Sequence, residues 1–422
     1  MSTRRTREPG EGGPAISRRT LLAGAAAAAG AAALGAREGL TAQEPARPAV
    51  PPDPTKVPGL PTSPLSERSP FEHPGRKPVG NLSGPSFTPL QDLTGTITPS
   101  DLHFERHHGG VALIDPQRWK LLIHGMVDRP LVLDLEDLRR FPQVTRTYFI
   151  ECAGNGRNAY RTPKAEMTPQ EVDGLTSNTE WTGVPLRTIL REVGVKPKAG
   201  WFLAEGGDAA VLSRSIPVAK AMDDALVVLA QNGEPLRPAH GYPARLLLPG
   251  WEGNTSVKWL RRLEFTDQPN MSRDETSKYT DPLPGGKARQ FSFEQDVKSV
   301  ITAPAYPARL EQGWWPISGL AWSGRGRVTK VEVSTDGGKT WAQAELLTPP
   351  LPKAHVRFQH MWRWDGRGPV VLLSRAWDET GATQPTRAEF RRVRGIGTDF
   401  HFNHVRGWIV ERDGRVVFGA DA

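Results

Sequence analysis

The hydrophobic patterning of the chain changes near residue 290, and that break constrains the fold more than any other property of the sequence. Before it, strands alternate with short helices. Residues 119–125 read as a strand, 135–141 as a helix capped by Asp134, and 186–193 as a helix behind Thr182 with Pro185 near its first turn. After the break the signals are all β. Val328-Thr329-Lys330-Val331-Glu332-Val333-Ser334 runs into Asp336-Gly337-Gly338-Lys339, a hairpin turn, and residues 370–377 repeat the pattern before Asp378-Glu379-Thr380-Gly381. The spacing predicts an α+β chain: a mixed α/β domain over 95–290, then an immunoglobulin-like β-sandwich with a C-terminal tail over 291–422. No disulfide can pin the sandwich, because the chain holds 1 cysteine, so its core should rely on aromatics such as Trp322, Trp341 and Trp377.

Two segments precede these domains. Ser17-Arg18-Arg19-Thr20-Leu21-Leu22 leads into an alanine-rich run over 23–36, followed by small residues at Leu40-Thr41-Ala42. This reads as a twin-arginine export signal over 1–42, which places the mature protein in the periplasm. The run is too short and too weakly apolar for a stable membrane anchor. Residues 43–94 are rich in Pro, Ser and Gly and predict an extended arm.

Loss of residues 1–42 removes six arginines and three glutamates, taking the formal charge from +8 to +5. The remaining Lys and Arg are scattered rather than striped, which excludes a nucleic-acid reader and suits an anionic substrate or an acidic partner. Nucleotide-binding glycine loops, metalloprotease helices and nucleophile elbows are all missing. His103, His107 and His108 cluster without a second group at zinc-ligand spacing.

The cysteine is Cys152, in Phe149-Ile150-Glu151-Cys152-Ala153-Gly154-Asn155-Gly156-Arg157. Tyr148, Ile150 and Cys152 share one face of a period-2 pattern, and the glycines follow at once. The sulfur should therefore stand where a strand ends and backbone can approach a ligand. Packing, nucleophilic chemistry and ligation of a soft metal all remain open to it.

Several separated motifs narrow the choice. Cys152 to Arg157, together with Phe104-Glu105-Arg106-His107-His108, His240-Gly241-Tyr242-Pro243-Ala244-Arg245 and Ser256-Val257-Lys258-Trp259-Leu260, resembles the sulfite oxidase family of molybdenum enzymes from about residue 95 onward. Leu320-Ala321-Trp322-Ser323-Gly324-Arg325-Gly326 and Thr276-Ser277-Lys278-Tyr279-Thr280-Asp281 are similar to the molybdenum subunit of bacterial sulfane (sulfite) dehydrogenases. The resemblance implies one molybdenum-molybdopterin per chain, with Cys152 as the protein thiolate ligand. Arg106, Arg157 and Tyr279 would form the substrate pocket, and His108, Asp208, His240, Arg245, Ser256, the backbone of Val257, and Lys258 would hold the cofactor.

It further implies oxidation of sulfite, or of carrier-bound sulfane sulfur, by oxygen-atom transfer. Without a heme-attachment motif, electrons are expected to pass to a separate c-type cytochrome. The second domain would dimerise, giving a homodimer or a heterotetramer with a cytochrome subunit. The chain departs from the animal enzymes at Thr176 and Ser177, where they carry a tryptophan after the Gly-Leu pair, and at His360, where they carry an arginine. Reduction of a sulfoxide or another oxyanion is the alternative reading, and a metal-free binding protein is the third.

Overall fold

Strand Val144–Glu151 carries the reactive segment, and its alternation decides which face of the sheet the segment serves. Tyr148 and Ile150 turn with Cys152 toward a cluster built on Phe104, Trp181, Leu226 and Leu247. Phe149 turns the other way, onto Leu90, Val300, Leu320 and Trp322. The computed structural model describes residues 61–283, 285–395 and 397–421, so the proposed export signal and the first part of the arm lie outside the described residues. The chain divides at Arg68; residues 61–68 are exposed and without helix or strand, and all that follows concerns the unit from Ser69 onward. No helix among the described residues is long and apolar enough to cross a membrane.

Up to about residue 290 the unit is built on two five-stranded sheets. In one, Val144–Glu151 pairs antiparallel with Thr176–Pro185, which pairs with Leu226–Gln231, itself flanked by Glu234–Pro235 and Arg245–Leu247. The other runs in the order Leu131–Leu133, Leu121–Gly125, Leu260–Thr266, Trp201–Gly206 and Ser213–Pro217, with one parallel pairing, between Leu121–Gly125 and Leu260–Thr266. Helix Leu186–Val193 buries Leu186, Ile189, Leu190 and Val193, the i, i+3, i+4, i+7 face, in the core with Leu121, Ile123 and Phe265.

Asp134 caps helix Leu135–Arg140 in a reciprocal capping box with Asp137. The expected role of Thr182 is corrected: it lies within the strand, sharing a 2.8 Å hydroxyl bond with Thr145, and Pro185 itself occupies the cap of Leu186–Val193. A strand leading directly into a helix leaves no room for a side-chain cap there.

Beyond residue 290 two antiparallel sheets face each other. One orders Lys298–Ala303, Gly313–Trp322, Val356–Trp364 and Glu345–Leu346; the other orders Ala342–Gln343, Val328–Ser334, Val370–Asp378, Arg406–Val410 and Val416–Asp421. Ile317, Val331, Phe358, Leu372 and Trp408 fill the space between them. The fold is thus the expected α+β combination of a mixed domain and an immunoglobulin-like sandwich. None of the three expected tryptophans lies in that cluster: Trp322 is fully buried but packs against Phe149 and Leu90, whereas Trp341, packed beside Leu373 and Val405, and Trp377 are only partly buried. They lie half-buried on the sheet surface beneath cations, with Lys330 Nζ 3.8 Å from the Trp377 ring and the Arg375 guanidinium 4.1 Å from Trp341.

The core of the sandwich also takes in Ala159, Met167 and Val172, which follow Cys152 in sequence. The reactive segment is therefore wedged against the sandwich. A second seam needs glycine: a Cβ on Gly324 would stand 2.0 Å from the carbonyl oxygen of Gly250, and one on Gly250 would stand 2.1 Å from that of Gly324. Backbone cannot yield as a side chain can. Gly324→Ala should destabilise the protein by about 1–3 kcal/mol or more, read as a fall in the midpoint of thermal unfolding; an unchanged midpoint would show that the seam opens freely.

Candidate active site

Cys152 sits in a closed turn. Its N–H donates to the Leu175 carbonyl (2.9 Å), its carbonyl accepts from Asn155 N–H (2.9 Å), and Gly156 enters helix Arg157–Arg161 at φ 90°. A Cβ on Gly156 would lie 2.5 Å from an Arg406 guanidinium nitrogen, so both the backbone angle and the space require glycine.

Two chambers meet at the sulfur. The inner one is narrow and the outer wider and more open to solvent; Arg106, His108, Cys152 and Tyr279 line both. The inner wall adds His103, His107, Asp208, His240, Arg245, Ser256 and Lys258. The outer wall adds Arg157, Leu175, Lys278, Asp399 and Phe400. The sequence-derived site residues thus come together, with one exception. Val257 stands behind the wall, fully buried in the core, its carbonyl accepting from Leu246 N–H at 2.8 Å.

The inner chamber is rich in donors and poor in acceptors. Arg245 donates to the carbonyls of His240 (3.0 Å) and Ser256 (2.8 Å), and Lys258 Nζ donates to the Ala239 carbonyl at 3.0 Å and lies 2.7 Å from His107 Nδ1. Ser256 Oγ accepts from Leu248 N–H, and Asp208 Oδ1 from Leu212 N–H, so both shape the loops that form the wall. Burial pushes His103 and His107 down to about 3 and Arg245 down to about 9. It also holds Lys258 and His240 well below their usual ranges, with the neighbouring charge of Arg245 adding to the effect on Lys258.

Several buried nitrogens have no hydrogen-bond partner among the described residues: both ring nitrogens of His240, Nε2 of His103 and Nε of Arg245. Orphaned polar atoms at this depth need a ligand. A phosphate-bearing pterin fits these residues, because it would supply hydrogen-bond partners and negative charge.

At the junction, burial raises the Cys152 thiol above its usual range, opposed by Arg106, the Gly154 N–H and Arg157. Burial likewise raises Tyr279, whose hydroxyl lies 2.9 Å from His108 Nε2, and burial lowers His108 to about 4. Arg106 anchors through the carbonyls of Ser83 and His107. The zinc reading of the histidine cluster fails: among the described residues no three His, Cys, Asp or Glu side chains are grouped to hold an ion. A lone thiolate beside a donor-rich cavity instead fits a metal whose other sulfur ligands arrive with the cofactor.

His360 lines neither chamber; it lies on strand Val356–Trp364 opposite Ile317, so it does not stand in for a pocket arginine. Thr176 and Ser177 are fully buried, bonded to His355 and Thr88. Sequence reasoning assigned no role to His103, His107, Lys278 or Asp399. For His107 and Lys278 the signal was present, since they lie inside the quoted motifs, and His103 directly precedes one of them. Asp399 had none.

Residues 108–273 match the oxidoreductase molybdopterin binding domain, and residues 289–406 match the Mo-co oxidoreductase dimerisation domain. Curated relatives include nitrate reductase (NADH) 2 of Phaseolus vulgaris, 34% identical over 342 residues that cover 71% of this chain and 38% of that protein. Nitrate reductase (NADH) of Ulva prolifera is 30% identical over 331 residues, with coverage of 69% and 38%. The chain therefore spans 38% of the length of these two relatives. Among solved structures, the sulfane dehydrogenase SoxCD from Paracoccus pantotrophus superposes with a TM-score of 0.82 at 45% identity, covering 87% of this chain and 98% of that one. Motifs, fold and comparisons agree: the chain belongs to the sulfite oxidase family of molybdopterin oxidoreductases.

Proposed function

We propose that the protein is an exported dehydrogenase that oxidises sulfite, or sulfane sulfur held on a carrier, and passes the electrons to a c-type cytochrome from the periplasm. The observation that carries this reading is the junction itself, where an outer chamber with Arg106, Arg157, Lys278 and Tyr279 opens onto Cys152. The match to a sulfane dehydrogenase over nearly all of that chain supports it. The sandwich is read as the surface for self-association, as a homodimer or with a cytochrome subunit.

Cys152 is the proposed metal ligand, and His108, Asp208, His240, Arg245, Ser256 and Lys258 the proposed cofactor cradle. When bound, the molybdenum cofactor supplies two-electron oxygen-atom chemistry. The chain does the rest by position and charge. Arg106, half-buried and oriented by two carbonyls, offers its remaining N–H groups to a sulfur oxyanion. Tyr279 Oη keeps its proton and, bonded to His108 Nε2, presents a neutral hydrogen bond beside the sulfur. Phe400 and Leu175 make part of the outer wall apolar, which strengthens the charge-assisted bonds made beside it.

Arg106→Gln should raise the sulfite KM by about tenfold to a hundredfold, the worth of a charge-assisted hydrogen bond, with little change in kcat. A fall in kcat at constant KM would instead place this arginine in transition-state stabilisation. The nitrate reductase relatives favour a second reading, reduction of nitrate in the same cationic chamber. Steady-state assays decide between them: sulfite with oxidised cytochrome c against nitrate with reduced viologen. Nitrate turnover without sulfite turnover would overturn the first reading.

A further inference from the structure

Arg157 does not offer the outer chamber a free charge. Its Nε and one terminal nitrogen donate to the Asp399 carbonyl at 3.1 and 2.8 Å. The Asp399 carboxylate lies 3.4 Å from Arg157 Nε and 2.9 Å from the guanidinium of Arg161. Arg106 and Lys278 line the same chamber and form no ion pair among the described residues. The wall carries two carboxylates, Glu171, which is paired with Lys77, and Asp399, which is shared between Arg157 and Arg161. The Arg157 side is next to the reactive segment, since a Cβ on Gly154 would stand 2.8 Å from an Arg157 guanidinium nitrogen.

We propose that Asp399 is a specificity-determining residue of the outer chamber, offsetting part of the charge of Arg157 and Arg161 so that free dianions are held less tightly and Arg106 and Lys278 carry most of the anion. The inference rests on reading the outer chamber as the substrate chamber. A fully cationic chamber would hold a dianionic product such as sulfate tightly and inhibit itself. With Asp399 in place the product leaves more readily, and a substrate with less charge loses less affinity than a free dianion.

Sulfate titration of the holoenzyme by calorimetry tests this without turnover. Asp399→Asn should tighten sulfate by about threefold to tenfold, a modest gain because the pair is partly exposed and screened. The gain should shrink with added salt, and it should be smaller for nitrate, a monoanion. Asp399→Glu, which restores the charge, should stay within about twofold of the parent. Unchanged or weakened sulfate binding in Asp399→Asn would overturn the proposal. So would equal shifts in the Asn and Glu variants, which would indicate the shape of the segment rather than its charge. Failure of the parent enzyme to oxidise sulfite would overturn the proposed function and leave the sulfate comparison readable by itself.

Discussion

Cys152→Ser is expected to lose turnover on the order of a thousandfold or more, equivalent to about 4 kcal/mol of barrier, while its thermal unfolding changes little. The side chain is half-buried at the edge of its apolar cluster, and the turn is closed by backbone bonds to Leu175 and Asn155 that a serine would keep. Little packing is lost. A hydroxyl, however, is a hard ligand that stays protonated where a thiolate would be stabilised by a soft, high-valent metal. Molybdenum content measured with the activity separates two ways of failing. Retained metal with sulfur missing from its X-ray absorption shell would mean that the thiolate is needed for chemistry, and metal loss would mean that it is needed for retention. Activity near the parent level would remove Cys152 from the ligand role.

That the cysteine could be singled out from sequence follows from local rules. A period-2 run ending in glycines places its last inward residue at a strand end, and the structure puts the Cys152 sulfur where two chambers meet. The capping box at Asp134 and the hairpin after Ser334 are legible for the same reason, since each is a contract among neighbours in sequence. None of Trp322, Trp341 and Trp377 fills the space between the sheets, because composition cannot show which face of a strand meets the core; Lys330 and Arg375 cover Trp377 and Trp341 from outside. The orphaned nitrogens of His240 were equally invisible, because lacking a partner is a property of the folded cavity. Least legible of all is what lies behind Cys152, where every partner is distant in sequence.

Behind the reactive turn four charges are buried together. Lys298 Nζ lies 3.1 Å from Glu151 Oε1 and 2.6 Å from Asp173 Oδ1, and Arg406 holds Asp173 at 2.6 Å. Glu151 also accepts from Asn155 (2.9 Å) and from Trp322 Nε1 (2.7 Å), so the residue next to Cys152 is tied to a strand of the sandwich. Lys298→Met should therefore cost about 3–5 kcal/mol, because it leaves carboxylates buried with less compensation, whereas replacing a complete pair costs far less. A fall in the unfolding midpoint of about 4–7 °C is expected at pH 7. Adding Glu151→Gln to Lys298→Met should recover part of it.

The pH dependence gives an independent check. Burial opposes ionisation of Asp173, but Arg406 and Lys298 outweigh it and hold the carboxyl below its usual range. In the parent, that stabilisation is present above the unfolded carboxyl pKa and is lost only as acid takes the pH down through the lower folded value. Without Lys298 the balance tips toward burial and the folded pKa of Asp173 rises. The variant is then penalised most at neutral pH, and its deficit should narrow between pH 7 and about 5 as the carboxyl takes up a proton. A deficit that is constant or grows on acidification would show that Lys298 stabilises the seam by packing against Trp322 rather than by charge, and the electrostatic link between the sandwich and Cys152 would fall with it.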